Sequence, residues 1–414
     1  MKKSKIALLH YSSPPVVGGV EEVMKQQALL LHRQGHKVKI ISGKGESLSR
    51  KFPTTIDPIF SSLNPNVDLA LKELKVGRAD RFKYVGDVIY EHLKKEVDSY
   101  DILIVHNVMT MPYNLPLTYA VKKLSNSRRI KIISWNHDSI YFYPDCPDMY
   151  HSEPWDILKE KIPFIHYVCI SKFRCKQFQE LYKINGTILV IPDGVDPAGF
   201  FQIDPDSQKI IHEQKLYEAD LIIVQPSRLI PRKNVELGLK VAGAMKRMGV
   251  DVRYLITGAY DPHEQRDVKY YRRLKEIARD LDIADEAIFI AEYRTKNGEE
   301  IIPNRSFIRD LYFIADILFM PSSSEGFGLP LLEAGAVKLP IACSEIPPFR
   351  EIGGNHICTF SLTDSPDRIA DRILRFLATI PTHNMYRNVI KNYVWDSIYQ
   401  THMVPLFRKV MAIQ

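Results

Sequence analysis

The chain has 414 residues, 45% of them hydrophobic, which fits two to three domains of about 150 residues each and excludes a small module held by disulfides or metal. Charged residues make up 25% and the formal net charge is +7, the profile of a folded protein rather than a disordered tail. Basic residues alternate with acids along the chain, so charge gives no reason to expect a nucleic-acid partner.

No run of about 18 apolar residues occurs, and the start, MKKSKIALLHYSSPP, has too short an apolar stretch and no small-residue cleavage site. It reads as a first strand. IALLH, the amphipathic EEVMKQQALLLHRQG ending at Gly35, and KVKIIS then form a βαβ unit. The alternation continues with a helix over 85–97, the strand DILIVH, a helix over 115–124, the strands KIISWNH and HYVCIS, and a further helix. A second series begins near Leu221: LIIVQPS, a helix over 235–248, VRYLITG, a helix over 269–281, AIFIAE, a helix over 308–314, DILFMPS and a helix over 329–336. Residues beyond Asp367 read as largely helical.

The pattern predicts an α/β protein with two doubly wound parallel sheets. The Pro-, Gly- and Asp-rich TILVIPDGVDPAGFFQIDPD places the junction between Pro192 and Phe200. The expected domains are 1–195 and 196–390, with 391–414 crossing back onto the first. Ligands of such sheets sit at the carboxyl ends of the strands, so two domains facing each other are expected to enclose a cleft. Cys146, Cys169, Cys175, Cys343 and Cys358 are scattered, without a CxxC pair, and read as reduced cytosolic thiols.

Chemistry is therefore sought in the loops after strands. Gly18 and Gly19 open a helix directly after the first strand, where free N–H groups and the helix dipole favour an anion; a plain tight turn reads equally well. Neither GxGxxG nor GxxxxGK[ST] occurs. Arg228 and Lys233 follow the first strand of the second domain, where a guanidinium and an ammonium can neutralise a departing diphosphate, unless both are solvated. The strongest signal is Glu325, Gly326, Phe327, Gly328, Leu329, Pro330 and Glu333: a loop carboxylate, accessible amides, a proline suited to a first helical turn and a second carboxylate one turn later. Such a set can hold sugar and ribose hydroxyls.

In order and spacing, the Gly18–Gly19 loop with Glu21, His137, the turn Asp193, Gly194, Val195, Asp196, the pair Arg228 and Lys233, and the EGFGLPLLEA segment resemble the family-4 nucleotide-sugar glycosyltransferases of the GT-B fold. The resemblance spans the chain. It implies that Glu325 and His137 contact the donor sugar, Glu333 the ribose, Arg228 and Lys233 the diphosphate, and the glycine loop the donor phosphates and acceptor. It further implies retention of anomeric configuration, by front-face transfer in which the leaving diphosphate helps to deprotonate the acceptor hydroxyl. The chain departs from the family pattern at Asp193, where asparagine is usual, and at Asn234, where glycine is common.

On the acceptor side, Glu21, His106, Asn107, Asp138, Tyr141 and Tyr143 are candidates; a capping role for His106 and Asn107, and a packed lid for the aromatics, stay open. Lys44, Arg78, Arg81, Lys83 and the basic stretch over 72–83 can meet a phosphorylated acceptor or anionic lipid headgroups, or be solvated. No DxD metal motif follows a strand, and Asp145 and Asp148 are too irregular for one. The expectation is a cytoplasmic hexosyltransferase with no obligatory cofactor, optional stimulation by a divalent cation, and an option of peripheral contact with the inner membrane face. Its donor is a nucleotide diphosphate sugar, GDP-mannose first and UDP- or ADP-glucose next, and its acceptor a sugar, sugar-phosphate or glycolipid. The rival readings are a GT-B nucleotide-sugar epimerase or hydrolase, which turns over without acceptor, a glycan phosphorylase, for which no pyridoxal-phosphate lysine is identified, and a non-catalytic binder.

Overall fold

The computed structural model describes residues 3–186, 188–258 and 265–412. It divides into two compact units, Met1–Val195 with Tyr393–Gln414, and Asp196–Asn392.

The first unit holds a seven-stranded parallel sheet in the order β3-β2-β1-β4-β5-β6-β7: β1 Lys5–His10, β2 Lys37–Ser42, β3 Thr54–Ile56, β4 Ile102–His106, β5 Lys131–Asn136, β6 Ile165–Cys169 and β7 Leu189–Val190. Both faces are covered, and the alternation along β1 shows why its run is continuously apolar. Ile6 and Leu8 join one core while Ala7 and Leu9 join the other. The order reverses between β1 and β4, and this switch point is where a ligand finds the carboxyl ends open.

Residues 393–412 complete the same unit. Val394 bridges Val195 in parallel, buried Trp395 joins the core that holds Ile6 and Leu8, and Arg33 pairs with Asp396 at 2.9 Å. Gly194 is required here, since a Cβ would lie 2.7 Å from the Trp395 ring.

The second unit repeats the plan with six parallel strands, β10-β9-β8-β11-β12-β13: β8 Leu221–Gln225, β9 Val252–Ile256, β10 Ala287–Phe289, β11 Ile317–Met320, β12 Ile341–Ser344 and β13 Cys358–Phe360. Its switch point lies between β8 and β11. The α/β reading holds for both halves. β3, β12, β13 and the helix Pro65–Leu74 were not anticipated from sequence.

Candidate active site

The loops after β8 and β11, neighbours at the switch point, converge in the second unit. After β8 the chain makes a tight turn at Pro231–Lys233, and Asn234 adopts a left-handed φ of 53° before the helix Val235–Arg247. Asparagine tolerates that conformation, so the glycine common in the family is not needed. Buried Gln225 braces the turn. Its Nε2 donates to the Lys233 carbonyl at 2.9 Å and to Ser227 Oγ at 3.0 Å, and its Oε1 accepts from the Tyr254 hydroxyl. Gly258 lets β9 pass against this loop, because a Cβ there would meet the Ser227 carbonyl oxygen at 1.7 Å.

Glu325 is the hub. Its Oε1 accepts from Lys233 Nζ and, at 2.7 Å, from Ser322 Oγ, and its Oε2 from Arg232 at 3.1 Å. The side chains of Glu325 and Lys233 are only 9% and 14% exposed. Burial pushes the Glu325 carboxyl up, but the bonds from Lys233, Ser322 and Arg232 outweigh it and leave the group below its ordinary value. The Ser323 amide donates to the Arg232 carbonyl at 2.9 Å, and Ser344 Oγ, from β12, ties down the Ser322 carbonyl. Arg228 is exposed and pairs with no carboxylate among the described residues. Arg228, Arg232 and Lys233 set against Glu325 leave a surplus of two positive charges in these loops.

Gly326 faces open space, and Gly328, at a φ of 136°, starts the helix Leu329–Ala336 with Pro330 in its first turn. Phe327 and Leu329 are exposed. Glu333 is exposed on that helix and accepts from Tyr312 Oη at 2.7 Å. Burial, reinforced by that bond, raises the Tyr312 phenol, so it remains a donor to Glu333. Sequence reasoning missed Gln225, Arg232, Gly258 and Ser322. Only Arg232, beside Lys233 in a strand-end loop, carried a signal there.

In the first unit the ends of β1, β4 and β5 bring three histidines together. His10 Nδ1 meets the His106 carbonyl at 2.8 Å, His106 Nδ1 meets His137 Nε2 at 3.1 Å, and His137 Nδ1 meets Asp193 Oδ2 at 3.2 Å. The His106 and His137 rings stack with centroids 5.5 Å apart. Burial pulls His10 down to about 4 and His106 far below the usual imidazole range. Glu21 accepts from Ser12 Oγ at 2.6 Å and lies 3.8 Å from His10 Nε2. Its carboxylate also fills the space beside Gly18, whereas Gly19 is open.

The acceptor candidates part company here. His106 is fully buried. Asn107, at a left-handed φ of 57°, caps the next loop by accepting from the His137 and Asp138 amides at 2.8 and 3.1 Å. Asp138 pairs with Arg174 at 2.9 Å and accepts from the half-exposed Tyr143. Tyr141 instead donates to the Tyr150 carbonyl and packs on the core. The ladder Ser13 N to Lys44 O, 2.7 Å, and Glu46 N to Pro14 O, 3.0 Å, fixes exposed Lys44 beside the glycine loop. Over 72–83, Lys72 pairs with Asp68 and Arg81 with Glu73, while Arg78 and Lys83 are exposed. Among the described residues no three His, Cys, Asp or Glu side chains converge as metal ligands would, and no helix is long and apolar enough to cross a membrane.

Residues 17–198 match the family model described as Glycosyltransferase Family 4, and residues 206–393 match that of Glycosyl transferases group 1. The chain belongs to the family-4 glycosyltransferases of the GT-B fold. This glycosyltransferase is 26% identical over 372 residues to the mannosylglucosylglycerate synthase of Petrotoga mobilis, covering 84% of each chain. It is 22% identical over 371 residues to that of Thermotoga maritima, covering 84% of this chain and 82% of the relative. The GDP-mannose-dependent alpha-(1-6)-phosphatidylinositol monomannoside mannosyltransferase of Mycolicibacterium smegmatis is 24% identical over 178 residues, 43% of this chain and 42% of the other. One matched model covers six of the seven strands of the first sheet and the other all six of the second, so the glycosyltransferase signal is carried by both units.

Proposed function

We propose that this glycosyltransferase moves mannose from GDP-mannose, with retention of configuration, to a hydroxyl of a small sugar-containing acceptor. The observation that carries the reading is the surplus of two positive charges in the loops after β8 and β11, which matches a nucleoside diphosphate leaving group. The mannosyl assignment is supported by the names of the relatives, two of which align over most of their length.

The state of Glu325 favours front-face transfer. Both of its oxygens are occupied by donors, so its electron pairs are poorly placed to attack an anomeric carbon. The carboxylate instead fixes Lys233 and Arg232 and offers a hydroxyl-binding edge. Among the described residues Arg228 has no carboxylate partner to give up, and it meets charge as the sugar–phosphate bond breaks. The departing diphosphate oxygen then takes the proton from the acceptor hydroxyl.

The test is product formation from GDP-mannose, UDP-glucose and ADP-glucose, each offered with glucosylglycerate and glycerate, with the anomeric configuration of any product read by proton NMR. Mannosyl transfer with an α-linked product supports the proposal. Turnover confined to a glucose donor would transfer the reading to glucosyl transfer, and consumption of donor without acceptor incorporation would mark a hydrolase or epimerase.

A further inference from the structure

We propose that Asp193 is a positioning residue for the transfer reaction: its carboxylate holds His137 in the Nδ1–H tautomer and thereby fixes the loop at the end of β5. The inference rests on the glycosyltransferase reading of this site and adds to it a residue and a protonation pattern.

The pattern follows from hydrogen-bond accounting. An ionised carboxylate only accepts, so the 3.2 Å contact between Asp193 Oδ2 and His137 Nδ1 places the ring proton on Nδ1. A neutral His137 then has a lone pair on Nε2. The partner at 3.1 Å, His106 Nδ1, must donate to it, which leaves His106 with its own lone pair on Nε2. That atom is buried and has no partner among the described residues, which is cheaper for a lone pair than for an unmet N–H. His106 cannot escape by charging, since its burial disfavours the cation. The opposite tautomer fails at both ends. It would turn a lone pair towards a carboxylate and force an N–H onto the orphaned His106 Nε2.

Every group around His137 agrees with this reading. His106 and, through the His106 carbonyl, His10 lie on the β4 and β1 side, with Glu21 beyond His10. Asp193 stands on the other side, and the adjoining Asp138 is neutralised by Arg174. The backbone of residues 137–138 is held by Asn107, so the carboxylate on the ring and the carboxamide on the amides clamp one short loop from two directions. A loop so clamped presents its outward atoms in one geometry, and a reacting sugar gains from that preorganisation.

The experiment uses the full chain labelled with nitrogen-15 histidine. In the native protein the His137 signals are expected to show a protonated Nδ1 and an unprotonated Nε2; the reverse assignment overturns the proposal without any substrate being needed. In Asp193→Asn the carboxamide can offer an N–H to Nδ1. The tautomer is expected to reverse or become mixed, with kcat falling roughly 10- to 100-fold, donor KM changing less than about threefold, and the melting temperature nearly unchanged; a wrong tautomer in a hydrolase triad costs more, about 10⁴, because that histidine itself carries protons. Asp193→Glu should restore both the tautomer and part of kcat. A fall in kcat with the tautomer unchanged overturns the positioning role, as does a reversed tautomer with full kcat. If the native protein transfers no sugar from any donor, the functional reading fails while the tautomer result still stands or falls alone.

Discussion

Removing Lys233 tests whether the Glu325 hub is a coupled electrostatic unit. Glu325 is nearly buried, and Lys233→Met takes away the better shielded of its two cations while keeping the aliphatic stem. Stranding one member of a buried pair costs about 3–5 kcal/mol. Arg232 and Ser322 still donate to the carboxylate, and Arg232 is partly solvated, so about 2 kcal/mol is expected here. Glu325→Gln removes the charge that needs compensation, and the double variant Lys233→Met/Glu325→Gln should be more stable than the sum of the singles by roughly 1–2 kcal/mol.

The pH dependence gives a second reading of the same unit. In the native protein the Glu325 carboxyl is held below its ordinary value, so its contribution is present above the unfolded carboxylate range and is lost as pH falls through the folded value. In Lys233→Met burial meets weaker opposition, the carboxyl rises, and acid should cease to penalise this site. Urea titrations of the four proteins at pH 7 and at about pH 3.5, below the ordinary carboxylate value, provide the measurements. Additive single-variant costs, together with an unchanged acid slope, would refute the reasoning.

Three further expectations follow from the structure. Arg228→Ala, at an exposed position without a carboxylate partner among the described residues, should leave urea stability within about 0.5 kcal/mol yet lower kcat on the order of 10²-fold; unchanged turnover in a steady-state assay removes Arg228 from the leaving-group role. Gly258→Ala sets a methyl against the Ser227 carbonyl and so displaces the loop that carries Arg228, costing stability by about 2 kcal/mol together with nucleotide affinity, both readable by thermal shift with GDP; normal GDP protection would show that the loop tolerates the methyl. His10, pulled by burial to about 4, stays neutral in the native state while the unfolded chain protonates near 6.5, so stability is fully present above 6.5 and falls by about 3 kcal/mol on the way to pH 4. His10→Asn, whose amide can still donate to the His106 carbonyl, should flatten that part of the acid limb; an unaltered limb would show that other groups carry it.

The long elements were legible because their patterns are redundant. β1, β4, β8 and β11 are central, buried on both faces, and each writes a continuous apolar run of four residues, while β2, β5, β6 and β9 each keep an apolar majority interrupted by one polar residue, Lys39, Ser134, His166 and Arg253. β3, β12 and β13 escaped because TTI, IACS and CTF are short, sit at or near the sheet edges, and mix polar with apolar residues. The charges of the second unit were visible as types at strand ends. Their pairing was not, because Lys233 and Glu325 are 92 residues apart and meet only where β11 settles beside β8. That juxtaposition turns a cation expected to wait for phosphate into one already bound to a carboxylate. An incoming diphosphate must therefore share Lys233 with Glu325, whereas Arg228 has no such competitor among the described residues, and the two cations of one sequence motif need not contribute alike. The histidine chain was hidden for a related reason. His106 and His137 were separate strand-end candidates and His10 drew no notice in the sequence, and only the order β1-β4-β5 makes the three neighbours, with Asp193 closing the row from a segment that sequence assigned to a linker turn.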